Sequence, residues 1–335
     1  MPIQSVLKFV NAQVLPLLLL TAMLVGFCSP SMGAAAAKTS LSTYTTTAVF
    51  VLAGLSIKRG EALEAFKYSG ALSYGLTAIL VLTPATSLIM ARLPLEPAGL
   101  SLGLAVFALM PTTLSSGITL TQSAGGNVAL ALLLTITSNL LSVFTLPFTL
   151  PALLGLGTGL VLDPLTLLLQ LMRTVLLPTA VGAAIRATVP AIRDLVDNNK
   201  QVYSYLTAGC LAVVPWMQVS KAVSQHLQIS AAAVAGAALA GILMHSSFLA
   251  FNAVAAKVLG LGGSDPAIRR RTSIPVILLS SGKTLPVAVA VLSSLSGSLG
   301  DAVVGPAAIA CVAAHLGQIL VDSLLVSYWK TQAAA

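Results

Sequence analysis

The most expensive residue in this sequence is Lys283. It stands in the segment 272–295, where apolar or small residues flank it on both sides. An ammonium at mid-bilayer costs about 2.5–3.5 kcal/mol on insertion scales, so it must be compensated. Three kinds of chemistry suit it: offsetting an anionic substrate, taking the place of a bound cation, or carrying a proton. Snorkelling to an interface is the structural alternative, and the long apolar flanks disfavour it. Lys283 also breaks a repeat. Leu279-Ser280-Ser281-Gly282-Lys283-Thr284-Leu285 matches Leu114-Ser115-Ser116-Gly117-Ile118-Thr119-Leu120 except where Lys283 replaces Ile118. Each copy interrupts a long apolar segment with hydroxyls and glycine. Interrupted hydrophobic segments at corresponding places in two halves point to a transporter's binding site. Thr113, Ser115, Ser116, Gly117 and Thr119 are therefore candidates from the first half, and Ser280, Ser281, Gly282, Lys283 and Thr284 from the second. The plainer reading of any single one is a small residue that lets helices pack closely.

A second group is His315, Gln318 and Asp322. Spacings of three and four put them on one helical face of an apolar segment. Asp322 is the only carboxylate inside the apolar segments, which makes it a candidate counter-charge for Lys283; a structural network between helices is the equal alternative. Thr137 and Asn139 belong to a weaker polar cluster with Thr135 and Ser138. Gln218, His245 and Asn252 suit a pathway lining or helix packing equally. Arg173 is read as snorkelling and receives no role. No phosphate loop, dinucleotide fingerprint, metal motif or hydrolytic spacing occurs, so neither an enzyme nor a cofactor is expected.

These residues need elements to hold them. Only 8% of residues are charged, 57% are hydrophobic and the mean hydropathy is +0.97. Soluble domains carry about 25% charged residues, so lipid must solvate most of this chain. The sequence predicts an all-α membrane protein of about ten transmembrane helices: 10–28, 44–57, 71–91, 97–124, 127–150, 164–185, 202–219, 229–258, 272–295 and 302–328. Segments four and nine contain the motif copies and are expected to be discontinuous. A Gly-rich turn at Gly155, Gly157 and Gly159 follows segment five, and residues 189–200 predict a short helix on the membrane surface. The net charge of +8 fits loops on one side of a membrane rather than nucleic-acid binding. Cys28, Cys210 and Cys311 lack any paired spacing. No cleavable targeting segment is evident at the start.

Loop charge sets the orientation. Of the 17 Lys and Arg residues, 12 fall on the side that holds both termini and 3 on the other. That bias places the termini on the cytoplasm-like face, or the stromal face of a plastid. Five segments per half is odd, so the second half enters from the opposite side. The halves would then be inverted repeats.

The motifs Pro111-Thr112-Thr113-Leu114-Ser115-Ser116-Gly117, Ala124-Gly125-Gly126-Asn127-Val128-Ala129-Leu130-Ala131 and Ser138-Asn139-Leu140-Leu141 resemble the bile acid:sodium symporter superfamily. They look most like its branch of plant and algal plastid sodium/metabolite cotransporters. Val196-Asp197-Asn198-Asn199, Val214-Pro215-Trp216, Leu249-Ala250-Phe251-Asn252-Ala253-Val254, Lys283-Thr284-Leu285-Pro286 and Val312-Ala313-Ala314-His315-Leu316 extend the likeness over nearly the whole chain. The resemblance implies two inverted five-helix repeats with helices four and nine crossing. It implies a panel domain (about 10–57 and 164–219), a core domain (about 71–150 and 229–328), and alternating access of one against the other. The implied function is secondary transport of a small organic anion in a lipid bilayer, with a plastid envelope as the implied location and sodium, or by residue chemistry a proton, as coupling ion. A membrane regulator that keeps this fold without net transport is the alternative. Sodium-coupled members use a carboxylate and a Gln on the second crossing helix. Here no Asp, Glu or Gln stands between Asp265 and Asp301, and Gly117 or Ile118 replaces an Asn ligand. No particular substrate or oligomeric state is implied.

The charge bias yields a test. Single cysteines placed in the loops 63–67 and 264–266 should react with an impermeant thiol reagent from the same membrane face. Labelling from opposite faces would overturn the ten-segment topology.

Overall fold

The computed structural model describes residues 14–56, 68–114, 116–158, 163–224 and 229–334; Ser115 lies outside them. Among the described residues every regular element is a helix. In chain order these are α1 (Val14–Cys28), α2 (Pro30–Ala37), α3 (Leu41–Leu55), α4 (Ser69–Met90), α5 (Gly99–Leu109), α6 (Ser116–Ser123) and α7 (Val128–Thr158). There follow α8 (Pro164–Thr188), α9 (Pro190–Asn198), α10 (Lys200–Ser224), α11 (Ala231–Val258), α12 (Pro266–Ser281), α13 (Leu285–Leu299) and α14 (Asp301–Ala334). Among the described residues, seven helices or broken helices are long and apolar enough to cross a membrane, and the bent pair α1–α2 makes up to eight. α3 and α5 are apolar but shorter. The described helices lie at or near the expected apolar segments, without establishing ten spans.

Three differences have local causes. The stretch after Cys28, expected to be loop, is helix α2, bent 102° from α1. Pro30 starts it at a position where its missing N–H costs nothing. α7 does not end at Leu150 but continues to Thr158 through Pro147 and Pro151. Membrane helices tolerate such prolines where neighbours satisfy the freed groups. α12 begins at Pro266, six residues before the expected Thr272. Asp265 caps it by accepting from the Ala267 and Ile268 N–H groups.

The short helix expected at 189–200 is α9, none of whose residues is buried. Its anchor comes from a residue that the charge count treated as a loop cation. Arg186 is buried, holds Asp197 bidentately at 2.8 and 2.9 Å, and donates to the Leu55 carbonyl at 2.9 Å. That carbonyl belongs to the last turn of α3, where helix carbonyls lack in-helix donors. At the start of α8, Asp163 accepts from the Leu165 and Thr166 N–H groups and from the Thr166 hydroxyl. The Thr166 hydroxyl and the Thr166 N–H hold its carboxyl below the usual carboxylate range.

α10 packs against α1, α2 and α3, and α8 against α3. α14 packs against α5, α11 and α13, while α12 packs against α4, α6, α7 and α11. A long apolar cluster joins the two groups through residues such as Phe50, Leu171, Met217, Val287 and Ala307. The broken span Pro266–Leu299 is the most enclosed, with 94% of its most apolar window buried, against 22% for Pro164–Thr188. The polar groups of its middle, Ser280, Ser281, Lys283 and Thr284, therefore face protein, not lipid.

Glycine sets the closest approaches. A Cβ at Gly182 would lie 2.1 Å from the Val51 carbonyl, and one at Gly54 the same distance from the Thr179 carbonyl. The contact is reciprocal, so α3 and α8 meet backbone to backbone. Gly182→Val should lower the thermal stability of the detergent-purified protein by about 1–3 kcal/mol, the usual cost of overpacking. Gly297→Ala, where a Cβ meets nothing within 4 Å, should leave the melting temperature the same or higher. Equal melting of Gly182→Val and the parent protein would refute the close approach.

Candidate functional site

Proline dictates both interruptions. Pro111 pushes the preceding residue out of the helical region, and Met110 is extended (φ −67°, ψ 153°). α5 therefore stops at Leu109, and residues 110–114 carry no helix. In the second half, Pro286 stands in the first turn of α13, and in a continuous helix its ring would crowd the carbonyl four residues earlier, that of Gly282; here, unlike at Pro147 and Pro151, the helix opens. It is open over Gly282, Lys283 and Thr284.

The two interruptions meet. The Thr284 N–H donates to the Pro111 carbonyl at 2.9 Å. A Cβ on Gly117 would lie 2.6 Å from Thr113 Oγ1 and 2.9 Å from a Leu279 methyl, so glycine is what lets α6 approach α12. Thr113 accepts from the Gly117 N–H at 3.1 Å and so caps α6. Asn139, on α7, donates to the Thr112 carbonyl at 3.1 Å and to the Thr135 carbonyl at 2.8 Å. The two motif copies do not sit alike around their interruptions. Ser116, Gly117 and Thr119 follow the first one, whereas Ser280 and Ser281 precede the second. The prolines, not the repeated hydroxyls, decide where the chain opens.

Lys283 is 1% exposed. Its Nζ donates to Thr83 Oγ1 at 2.8 Å, the Met110 carbonyl at 2.9 Å and the Ile79 carbonyl at 3.3 Å, and lies 5.8 Å from the Phe248 ring centroid. Each oxygen is available for a local reason. The Met110 carbonyl stands past the end of α5. In the π turn of α4 at Ala78–Leu82, the Thr83 N–H bonds the Ala78 carbonyl instead of that of Ile79. The next donor along the chain would be Pro84, which has no N–H. The lysine thus satisfies carbonyls that the backbone cannot, and Phe248 adds a cation–π contact. All three hydrogen-bond partners are neutral oxygens. Sequence spacing had proposed Asp322 as its counter-charge; the structure pairs Asp322 with His245 Nε2 at 2.8 Å instead.

Gln318 brackets the lysine's own peptide. Its Oε1 accepts from the Lys283 N–H at 2.8 Å and its Nε2 donates to the Lys283 carbonyl at 3.1 Å. One turn away on α14, His315 is buried with its ring edge-on to Phe107, 6.1 Å between centroids. Its two nitrogens make no hydrogen bond. Buried acceptors or donors without a partner also cluster nearby: Thr112 Oγ1, Thr135 Oγ1, Asn139 Oδ1, Ser280 Oγ and Thr284 Oγ1. Ser281 accepts from Asn252 at 2.9 Å, and Asn252 accepts from the Tyr74 hydroxyl at 2.7 Å.

Most sequence candidates therefore assemble around one point. Thr113, Gly117, Asn139, Ser280, Ser281, Gly282, Lys283, Thr284, His315, Gln318 and Asp322 lie on the helix segments that meet there. Thr119 instead lies on an exposed side of α6, and Ser116 and Thr137 are half-buried. Sequence reasoning missed the oxygens of Ile79, Thr83 and Met110; their only signal was a proline just downstream, Pro84 or Pro111.

Known proteins are similar to this sequence. The model of the SBF-like CPA transporter family matches residues 13–331. The chain is 41% identical over 328 residues to the probable sodium/metabolite cotransporter BASS4, chloroplastic, of Arabidopsis thaliana, covering 97% of this chain and 74% of that protein. It is 40% identical over 329 residues to the protein of the same name from Oryza sativa subsp. japonica, covering 97% and 77%. An uncharacterized Pseudomonas aeruginosa protein is 30% identical over 251 residues, covering 73% and 68%.

Gln318 tests the site's construction. Gln318→Leu keeps much of the volume but leaves the Lys283 N–H and carbonyl buried without partners, at about 1–3 kcal/mol each. The variant should melt well below the parent protein in detergent. An unchanged melting curve would show that Gln318 does not hold the interruption.

Proposed function

The chain belongs to the SBF-like CPA transporter family, and we propose that it is a secondary transporter of a small organic anion, with its site where the two interrupted spans meet. It is a multi-pass membrane protein and a transporter-family member rather than an enzyme. One observation carries the anion reading: a buried ammonium at the meeting point whose hydrogen-bond partners are all neutral oxygens. Its charge is therefore available to an anionic ligand, and an intramembrane cation of this kind usually marks a substrate or ion pathway. The unpartnered polar atoms of Thr112, Asn139, Ser280, Thr284 and His315 offer a ligand hydrogen bonds close by. The N-terminus of α13 adds the positive end of a helix dipole.

The packing supports a division into a panel, α1–α3 with α8 and α10, and a core, α4–α7 with α11–α14. In this reading the core moves against the panel to alternate access. Thr46, Val49, Leu211 and Val214 of the panel and Pro286 and Val289 of the core line the boundary between them. The reading includes the two inverted repeats implied by the resemblance and, from the printed names of the BASS4 relatives, a chloroplast membrane.

Those names also say sodium. Lys283 argues for a different arrangement here: its ammonium occupies an oxygen cage of two carbonyls and a hydroxyl, the ligand type a hard cation prefers. The lysine stands where a coupling cation would. Transport should then not require sodium. Proteoliposomes assayed with a panel of small carboxylates should take up substrate equally when choline replaces sodium at fixed pH and membrane potential; uptake that vanishes would overturn sodium independence. Lys283→Ala should abolish uptake while remaining folded, and its melting temperature should rise with added sodium chloride relative to choline chloride, because the emptied oxygen cage can accept the ion. Normal uptake by Lys283→Ala would remove the lysine from the function.

A further inference from the structure

We propose that His245 and Asp322 form a proton-binding site that holds one exchangeable proton between Nε2 and Oδ1 and is wired to the meeting point of the two interruptions. The donors and acceptors around the ring fix the number of protons. His245 Nδ1 lies 3.2 Å from the Ser281 carbonyl, and Nε2 lies 2.8 Å from Asp322 Oδ1. A carbonyl oxygen can only accept, so Nδ1 carries a hydrogen. A carboxylate oxygen can also only accept. A bare Nε2 facing it at 2.8 Å would set two lone pairs against each other, so a second proton lies between them. It makes no difference to the count whether that proton resides on the ring or on the carboxyl. In either form the pair holds two protons and is neutral overall, which suits residues 2% and 4% exposed inside an apolar span.

Release of the shared proton leaves Nδ1–H imidazole, an Asp322 carboxylate and one proton delivered to water; rebinding reverses the step, and no other reactant is needed. The released state carries one negative charge and loses the 2.8 Å contact that ties α11 to α14. Both partners are one helical turn from the machinery that holds Lys283. Asp322 follows Gln318 by four residues on α14, and His245 precedes Phe248 by three on α11. The Ser281 carbonyl that fixes the ring is the last of α12 before the chain opens. The other titratable groups facing the pair are Lys283 and His315 at the interruption and Tyr74, which reaches it through Asn252 and Ser281. With the pair protonated, Lys283 is the uncompensated charge and an anion is favoured. With the pair deprotonated, its own negative charge opposes an anion. Proton and anion binding are therefore mutually favourable, as linkage requires of both sites.

This inference rests on the transport reading for its purpose but not for its test. The sequence contains three histidines, His226, His245 and His315, so the protein labelled with ¹⁵N-histidine and reconstituted in lipid gives few imidazole signals, and His245→Gln assigns the relevant pair. At neutral pH the His245 ring should show a hydrogen on Nδ1 and a strongly hydrogen-bonded proton at Nε2. The second should be lost in a single step as pH rises while the Nδ1 hydrogen persists. In Asp322→Asn, whose amide can donate to Nε2, that step should disappear. A bare Nε2 in the parent protein at neutral pH, or a step that survives Asp322→Asn, would overturn the proposal. Neither result depends on uptake, so failure here leaves the transport reading standing, and failure to transport leaves this result to be judged by itself.

Discussion

Inside a bilayer every backbone N–H and carbonyl must find a partner within the protein. This fold interrupts two spans in its interior, and its central interactions meet that demand. The Thr284 N–H and the Pro111 carbonyl satisfy each other across the two openings. Gln318 holds both polar groups of the Lys283 peptide, and the lysine side chain answers carbonyls that prolines leave without donors. Breaking two helices thus creates the polar atoms of the site, and the same atoms fix its geometry.

The lysine's cost follows from the same constraint. A buried ammonium is tolerated where oxygens replace its water, and here two orphan carbonyls, a hydroxyl and an aromatic face do so. None of them neutralises its charge. That separation of solvation from neutralisation lets one residue be structurally accommodated and still electrostatically available. The His245–Asp322 pair shows the opposite arrangement, in which burial and neutrality come together.

Distance from the site changes the kind of contact. Around the interruptions α12 and α13 are enclosed by other helices, and side-chain hydrogen bonds dominate. Farther out, at α3 and α8, two glycines bring backbones together. At the end of α3, Arg186 ties α9 to the last turn through Asp197 and the Leu55 carbonyl.

The sequence by itself determined the solvent, the order of the helices and the place of the interruptions. Composition and hydropathy are properties of the whole chain, and proline acts within a few residues, so neither needs the fold to be read. It also singled out Lys283, Gln318 and Asp322, because polar residues are conspicuous in apolar segments. Their pairing was beyond it. Asp322 was a reasonable partner for Lys283 by charge, yet the lysine reaches Ile79 and Thr83, about two hundred residues earlier, and Asp322 reaches His245. The repeated hydroxyl motif suggested equivalent positions around the two openings, but Pro111 precedes its copy and Pro286 follows the other. Only the tertiary structure decided these contacts, because the oxygens that solvate the lysine belong to the backbone, and backbone carbonyls are the same in every residue of a sequence.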